Sequence, residues 1–310
     1  MLDREAGTRI LITPTGPGAV GVPGLDATGG CAVGWFEAVV LGLVQGLTEF
    51  LPVSSSAHVR VVAAFAGWDD PGAAFTAVIQ IGTELAILAY FAKKIGSILR
   101  NWFRSFYRPE LRRDPDARMG WLIIVGTIPV VVLGVLFEDA IDSAFRDLRL
   151  TALVLIGFGL LLGWADRYGR KQRTLDDLNV AHGLAYGLAQ ALALIPGVSR
   201  SGGTTTAGLL MGYRRADAAE YSFLLAAPAV FGSGLYKLTD IGAGNAPAWG
   251  PTLVAMLVSF VVGYAVVAWL MAYIKRGTFV PFVVYRVVLG LVLLVLVFTG
   301  VLDPAAGPTT

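Results

Sequence analysis

The stretch QGLTEFLPVSSSAH, from Gln45 to His58, interrupts an apolar helical run with polar residues. Pro52 lacks an amide proton and disfavours helical geometry in the residue before it, so a helix must end or kink there. Three serines and a histidine follow at once. We therefore predict two short helices joined by a break, with a serine capping the second helix, which runs to about Phe65.

A second broken apolar run, LALIPGVSRSGGTTT from Leu192 to Thr206, lies about halfway down the chain. Two such breaks at corresponding places in two apolar halves indicate a binding site near the bilayer midplane. Non-helical backbone at this depth is tolerated only where it is buried in protein or lines a watery cavity. Each broken run is therefore predicted to be a re-entrant helical hairpin.

Composition is typical of polytopic helical membrane proteins. Of the 310 residues, 55% are hydrophobic and only 15% are charged, and the mean hydropathy is +0.68. A net charge of +2 is too small to indicate nucleic-acid binding. Cys31 is the single cysteine, which excludes disulfides within the chain and cysteine-based metal sites.

Six further apolar stretches are close to the roughly 20 residues that a membrane span needs. The predicted fold is an all-α polytopic membrane protein with six transmembrane helices plus two re-entrant helical hairpins. Similar patterns follow the two broken runs, which indicates an inverted-topology repeat with halves of about 35–137 and 150–301. The predicted spans are Ala73–Phe91, Trp121–Phe137, Leu150–Trp164, Tyr221–Leu238, Leu253–Ile274 and Phe282–Val301.

Loop charge sets the predicted orientation. Eight basic residues lie in the loop from Lys93 to Arg118, and basic pairs follow at 170–171, 214–215 and 275–276, whereas the loop from Glu138 to Arg149 is acidic on balance. By the positive-inside rule the basic loops are cytoplasmic and both termini lie outside. The first broken run then enters from outside, and the second enters from the cytoplasm.

Residues 1–34 differ from the rest of the chain. They are rich in Gly, Pro and Thr, and they lack the basic start and uninterrupted apolar core of a secretory signal. We expect a disordered tail or a non-native extension from an upstream start codon. Residues 35–303 are predicted to form a single integral membrane domain.

Gln45 and Glu49 are four residues apart and so share one helix face. A carboxylate inside a membrane-embedded segment is costly, which makes Glu49 a candidate functional residue. We predict that it positions a metal ion or accepts a proton from a neighbouring hydroxyl or water.

Ser54, Ser55 and Ser56 lie where the first broken run restarts as a helix. The exposed amides and positive dipole end of a helix start form a natural anion site. His58 lies one turn further on, where we predict that it donates to a phosphoryl oxygen, moves a proton or acts as a nucleophile.

Arg200 is the predicted phosphate clamp of the second broken run, because a guanidinium is always charged and binds phosphate through two donors. An alternative reading is an ion pair between Arg200 and Glu49 without a substrate, which would still create a cavity between the hairpins. The rest of the phosphate cradle is assigned to Ser199, Ser201, Gly202 and Thr204.

Other polar residues inside the apolar segments carry less weight. Glu84 is expected behind the site or at an interface, and Arg286 is expected to reach the membrane surface or to pair. Neither is placed among the catalytic residues.

At these residues the sequence resembles the undecaprenyl-diphosphatase family, bacterial membrane phosphatases associated with bacitracin resistance. The resemblance covers Trp35 to Val301 and rests on GLTEFLPVSSSAH at 46–58 and PGVSRSGGTT at 196–205. It implies removal of the terminal phosphate from undecaprenyl diphosphate, a polyprenyl diphosphate lipid, which recycles the carrier for peptidoglycan and other wall polymers. It also implies a multi-pass protein of the bacterial plasma membrane, with inverted repeats and an active site that opens to the outer face.

The family's functional positions carry over residue by residue. Many members have a glutamate where this chain has Gln45, which weakens any mechanism that needs two carboxylates on that helix. Many also have a serine where this chain has Gly203, which removes one candidate phosphate donor. The matched positions are Gln45 and Glu49, Ser54 and Ser55, His58, and then Ser199, Arg200, Ser201 and Thr204.

The resemblance also implies dependence on Mg²⁺ or Ca²⁺. Glu49 is the one obvious hard ligand in the motifs, so diphosphate and water would hold most of such an ion. The nucleophile is left open between a serine, His58 and water, and a homodimer is left open as well.

Two other functions compete with this one. A lipid phosphatase of the phosphatidic-acid type needs a second histidine after its serine–arginine pair, and no histidine follows Arg200. A secondary transporter or lipid flippase shares the inverted repeats and broken helices. The convergence of Ser, His, Glu and Arg exceeds what anion binding alone requires and favours the phosphatase.

Overall fold

The computed structural model describes residues 33–69, 71–137, 147–239 and 247–304. Of the features predicted from sequence, the N-terminal extension up to residue 32 and the acidic loop at 138–146 lie outside the described residues.

The described residues are helical, apart from turns and one isolated bridge between Arg173 and Tyr213. Short 3₁₀ segments occur at Pro109–Arg113, Leu175–Asp177 and Leu192–Leu194. The α-helices in these ranges are α1 Trp35–Thr48, α2 Ser55–Ala66, α3 Gly72–Tyr90, α4 Ala92–Ser105, α5 Pro115–Leu136, α6 Leu148–Tyr168, α7 Val180–Ala191, α8 Arg200–Leu210, α9 Arg215–Thr239, α10 Trp249–Tyr273 and α11 Val280–Phe298.

Several helices begin where the sequence supplies a cap. The Asp114 side chain accepts hydrogen bonds from two amides at the start of α5, and Pro115 occupies the first helical position. Asp147 caps α6 through the amide of Arg149, and Asn179 caps α7 through the amide of His182. These polar residues fix the starts of otherwise apolar helices.

The chain is an all-helical polytopic membrane protein. Within the described residues, the four helices α5, α6, α10 and α11 are long and apolar enough to cross a membrane. A fifth span results if α3 and α4 are counted as one, although the chain bends by 79° between them.

The apolar helices α1 and α7 are shorter than a span. With 14 and 12 residues and a rise of about 1.5 Å per residue, each covers about 20 Å or less of a hydrocarbon core that is about 30 Å thick. Each is followed by a break and a second short helix, α2 or α8. The two predicted interruptions are therefore present as helix–break–helix units, which we call the first hairpin (35–66) and the second hairpin (180–210).

Helices from each half of the chain pack on a helix of the other half. In the first half α1 and α3 pack on α10, whereas in the second half α7 and α9 pack on α5. Small residues permit the close approach: a side chain at Gly42 or Gly46 would meet α10, and one at Gly187 would meet the α5 backbone. This reciprocal packing places the breaks of both hairpins side by side.

Two details differ from the prediction. The third span, predicted as Leu150–Trp164, is the longer helix α6, because Asp147 supplies a cap upstream. The predicted loop from Lys93 to Arg118 is largely helical, since α4 packs Ile98 into the core beside α5 and pairs Lys94 with Asp116 of α5. Its other basic residues are exposed.

Candidate active site

The break of the first hairpin lies between Thr48 and Ser55. Ser54, the residue before α2, has a φ of 74°, a left-handed conformation that is rare outside glycine. Its side chain makes no capping hydrogen bond to α2. The helix start therefore has amides that no side chain at the cap position satisfies.

The break of the second hairpin repeats this geometry. Ser199, the residue before α8, has a φ of 68°, but its hydroxyl does accept a hydrogen bond from the amide of Gly202 at 3.2 Å. Gly197 has a φ of 96° and approaches the backbone of Thr151, so a glycine is required there. Strained backbone of this kind persists only where the surrounding structure holds it, and it is concentrated at functional sites.

Glu49 joins the two breaks. Its Oε1 accepts a short hydrogen bond from Arg200 Nη2, which crosses from the second hairpin to the first. Its Oε2 accepts from Gln45 Nε2 at 2.7 Å and from Ser55 Oγ at 2.5 Å. One buried carboxylate therefore orients a hydroxyl with one oxygen and a guanidinium with the other.

A second carboxylate contacts the same arginine. Glu84 on α3 accepts from Arg200 Nη2 through Oε1 at 3.2 Å, and its side chain is only 1% exposed. Together with Ser201 and Ser222, these charged residues line a small void of about 10 Å³. The void has room for about one water molecule.

The Ser201 hydroxyl adds a further link between the hairpins. It is 3.1 Å from the carbonyl oxygen of Leu51 and 3.4 Å from that of Glu49, so it donates into the break of the first hairpin. Carbonyls freed by the broken helix thus find a donor from the opposite half of the chain.

Arg286 holds both breaks from behind. This residue of α11 is fully buried, and its guanidinium donates to the carbonyls of Pro52 in the first hairpin and of Gly197 and Val198 in the second, at 2.7–3.1 Å. Nε donates to Leu155 on α6 at 3.1 Å. The expectation that Arg286 reaches the surface or pairs with an acid is wrong, because the two breaks supply enough carbonyls to satisfy its donors inside the protein.

Arg286 also explains why residue 202, in the second motif, is a glycine. A Cβ at Gly202 would lie 2.8 Å from Arg286 Nη1 and 3.1 Å from the Ser199 side chain. The helix start can approach the guanidinium only because residue 202 has no side chain.

His58 lies in the first hairpin with both ring nitrogens engaged. Nδ1 is 2.7 Å from the carbonyl oxygen of Ser54, which can only accept, so Nδ1 carries a proton. In the neutral ring Nε2 then accepts from the Tyr285 hydroxyl at 2.7 Å, and the two rings stack with centroids 5.5 Å apart. This orientation points the acceptor nitrogen at a phenol rather than at Ser55.

Three predicted residues remain: Ser54 and Ser56 in the first hairpin and Thr204 in the second. The Ser54 and Ser56 hydroxyls are 3.3 Å apart, and Ser56 is exposed. Thr204 donates to the carbonyl of Arg200 at 2.7 Å and also contacts the Ser222 hydroxyl, so its oxygen is engaged within the second hairpin and with α9.

The structure brings five of the predicted residues into one network and adds three further residues to the site. Glu49, Ser55, Gln45, Arg200 and Ser201 form one connected network. Glu84, Tyr285 and Arg286 were not placed in the site from sequence. A usable signal existed for Arg286, because a charged residue in the middle of an apolar span is a candidate functional residue.

The fold and site define a class: a polytopic membrane protein whose two broken helices converge on a serine, a carboxylate and an arginine. The sequence model of the family described as bacitracin resistance protein BacA matches residues 38–292. Since this match covers more than half of the chain, the protein belongs to that family.

Relatives with high identity are named for an enzyme activity. "Undecaprenyl-diphosphatase" of Thermobifida fusca is 64% identical over 271 residues, which cover 87% of this chain and 93% of the relative. "Undecaprenyl-diphosphatase 2" of Streptomyces avermitilis is 57% identical, with 88% and 98% covered. "Undecaprenyl-diphosphatase" of Micrococcus luteus is 59% identical, with 87% and 99% covered.

Proposed function

We propose that this protein hydrolyses undecaprenyl diphosphate to undecaprenyl phosphate and inorganic phosphate. The reaction recycles the lipid carrier for peptidoglycan and cell-wall synthesis and gives resistance to bacitracin. Family membership and the names of the relatives support the substrate and the reaction. The observation that carries the chemistry is the 2.5 Å hydrogen bond from the Ser55 hydroxyl to Glu49 Oε2.

Ser55 is the nucleophile in this proposal. Its Oγ forms a bond to the terminal phosphorus, its proton passes to Glu49, and the bond from that phosphorus to the bridging oxygen breaks. Undecaprenyl phosphate leaves, and the terminal phosphoryl group stays on Ser55. Water then attacks the phosphoserine: its oxygen and one proton leave with inorganic phosphate, its other proton returns to Ser55 Oγ, and Glu49 releases its proton to solvent. A hydroxyl with a carboxylate within hydrogen-bond reach is the usual arrangement of an activated nucleophile.

Arg200 and the start of α2 bind the phosphoryl oxygens. Phosphoryl transfer is catalysed mainly by positioning and by stabilisation of negative charge. Arg200 is paired with Glu49 in the absence of substrate, so the diphosphate must compete for the guanidinium. That competition frees Glu49 Oε1 at the moment when Glu49 is needed as a base.

His58 supports the reaction without forming the bond to phosphorus. Because Nδ1–H is held by the Ser54 carbonyl and Nε2 by Tyr285, the ring has no free lone pair directed at a substrate. Its role in this proposal is to fix the strained Ser54 backbone that begins α2 and to relay protons through Tyr285.

Mg²⁺ or Ca²⁺ is a proposed cofactor. The described residues contain no group of three or more His, Cys, Asp or Glu side chains arranged to hold a metal. They do contain Glu84 Oε2, a buried carboxylate oxygen without a hydrogen-bond partner there, close to Glu49. These donors fit an ion that Glu49 contacts and that diphosphate and water mainly hold, as Mg²⁺ prefers. When bound, the ion neutralises phosphate charge.

The proposed topology has six spans and two re-entrant hairpins in an inverted repeat, with halves of about 35–137 and 150–301. The short lengths of α1 and α7 and the exchanged packing of the two halves support it. The basic ends of α4 and α10 are assigned to the cytoplasm by the positive-inside rule. The site then opens to the outer face of the bacterial inner membrane, with both termini outside.

The test is phosphate release from undecaprenyl diphosphate by purified protein in detergent, with Mg²⁺ or Ca²⁺ present. We expect turnover in the wild type and a loss on the order of 10³-fold or more in Arg200→Ala, since arginines at phosphoryl-transfer sites contribute on this scale. Glu49→Gln should lose about 10²–10⁴-fold as a removed base. Glu37→Gln, a change of the same kind earlier on α1, is the matched control and should retain turnover.

The same assay separates hydrolysis from transport, because detergent solution holds no gradient. Binding of the lipid diphosphate without any release of phosphate, with or without a divalent cation, would contradict the diphosphatase and favour a transporter or flippase with this fold.

A further inference from the structure

Glu84 is a buried carboxylate that takes no part in the proposed bond-making and bond-breaking steps. It lies in the middle of α3, its side chain is 1% exposed, and its Oε1 is 3.2 Å from Arg200 Nη2. Its Oε2 has no hydrogen-bond partner among the described residues. A carboxylate in this position costs stability unless it is paired, so its presence points to a role.

The local charge balance is unusual. One guanidinium is shared by two carboxylates, because Arg200 Nη2 contacts both Glu49 and Glu84. The wall around them includes the apolar side chains of Phe50 and Phe223, which keep the effective dielectric constant low. Electrostatic attraction between these groups is therefore stronger than it would be at a surface.

The two carboxylates differ in what else they contact. Glu49 also accepts from Ser55 and Gln45, so it is connected to the nucleophile. Glu84 contacts only Arg200 among the described charged groups. Glu49 is thus connected to the nucleophile, whereas the contact of Glu84 is with the guanidinium alone.

We infer that Glu84 is a positioning residue that holds the Arg200 guanidinium at the junction of the two breaks. This inference rests on the proposed function. When the diphosphate competes with Glu49 for the guanidinium, the contact from Glu84 remains, because Glu84 lies on α3 and belongs to neither hairpin. The hydrogen bond from Arg200 Nη2 to Glu84 Oε1 therefore keeps the guanidinium in one position relative to α3 through both chemical steps.

This assignment also explains how a single carboxylate at the end of α1 suffices for the site. On α1 the neighbour of Glu49 is Gln45, whose amide donates to Glu49 Oε2 at 2.7 Å and orients it. A second carboxylate at position 45 is not needed to balance Arg200, because α3 supplies one from the other side.

The first test is steady-state kinetics of Glu84→Gln and Glu84→Asp, with Glu220→Gln as the matched control. Glu220 is a partly buried glutamate of α9 that does not line the void. We expect kcat of Glu84→Gln to fall about 10–100-fold, the range for groups that orient a functional side chain. KM should change much less, Glu84→Asp should recover part of the loss, and Glu220→Gln should behave as wild type.

Two kinetic results would overturn the inference. Wild-type kcat in Glu84→Gln would show that Arg200 needs no second carboxylate. Full recovery of Glu84→Gln at higher Mg²⁺ would show that Glu84 acts on the cation rather than on the arginine.

The second test does not depend on catalysis. In a double-mutant cycle of melting temperatures in detergent, Arg200→Ala leaves two buried carboxylates without a counter-ion and should lower the melting temperature strongly. Adding Glu84→Gln to Arg200→Ala removes one of those charges, so the double variant should melt above the single Arg200→Ala variant.

Additive losses in that cycle would contradict a Glu84–Arg200 coupling. A coupled cycle in a protein that releases no phosphate would leave the pairing established and would overturn the proposed hydrolysis instead. The two failures are therefore distinguishable.

Discussion

The two hairpins use one backbone device and present different groups with it. In each, a serine with φ near +70° precedes the second helix, with φ of 74° at Ser54 and 68° at Ser199. Ser199 turns its hydroxyl onto the amide of Gly202, whereas Ser54 makes no capping bond. The same geometry therefore closes the helix start in the second hairpin and leaves it open in the first.

The difference extends to the other hydroxyls. In the second hairpin Thr204 and Thr206 donate to carbonyls of their own helix, so they satisfy the backbone. In the first hairpin Ser55 donates to Glu49, a group that can accept its proton. The first hairpin supplies the reacting groups, and the second supplies a charge, Arg200, on a firmly bonded support.

The largest effect is expected at Ser55, and it tests directly whether the two hairpins have different roles. Ser55→Ala removes the proposed nucleophile and should lower turnover on the order of 10³-fold or more. Ser199→Ala, a serine-to-alanine change in the second hairpin, removes a cap and should cost about 1 kcal/mol of stability with turnover near wild type. Phosphate release and melting temperature check both, and acid-quenched wild type should carry phosphate on Ser55. Equal losses of turnover in the two variants would contradict the division of roles.

The next prediction concerns what holds the hairpins together. Lysine has three donors for the four carbonyls that Arg286 binds, so Arg286→Lys leaves at least one buried carbonyl unpaired and should cost about 1–3 kcal/mol of stability. Thermal unfolding in detergent measures it. Arg149→Lys, at an exposed arginine, is the control and should melt as wild type. An unchanged melting temperature in Arg286→Lys would mean that the breaks are held independently.

The sequence predicts the parts of this site that depend on local motifs and misses contacts between residues that are far apart in the chain. Glu49 and Arg200 could be identified because each is a costly charge inside an apolar motif, and their ion pair was foreseen as an alternative. The partners Glu84 and Tyr285 could not be identified, because their contacts to Arg200 and His58 join residues 116 and 227 positions apart. Spacing along one helix carries no information on such distant pairs.

The fold, like the site, can be predicted from sequence only where local residues determine it. The two breaks follow from local chemistry at Pro52 and Gly197, and the structure has them where the sequence places them. The helical character of α4 cannot be predicted in this way, because its many basic residues indicate only a charged loop. Arg286 was visible as a charge in an apolar span, but that it binds carbonyls of both breaks depends on the tertiary packing of α11.

A smaller effect on turnover is expected at His58, because the corresponding residue of the second hairpin is a glycine. His58 lies four residues after Ser54, and Gly203 lies four residues after Ser199. His58→Gln should lower turnover by about 10²-fold through loss of the proton relay. Tyr285→Phe keeps the stacked ring and removes only the hydroxyl, so its loss should be smaller. Wild-type turnover in both variants would limit His58 to a structural role.

The smallest effect is expected at Thr204, which the motif alone assigns to the phosphate cradle. Its hydroxyl is occupied by the Arg200 carbonyl and by Ser222, so Thr204→Val should cost about 1–2 kcal/mol of stability and leave KM for the lipid diphosphate unchanged. Thr204→Ser retains the hydroxyl and serves as the control. A large rise in KM of the valine variant at an unchanged melting temperature would instead place Thr204 against the phosphate, and the second hairpin would then contribute binding groups beyond Arg200.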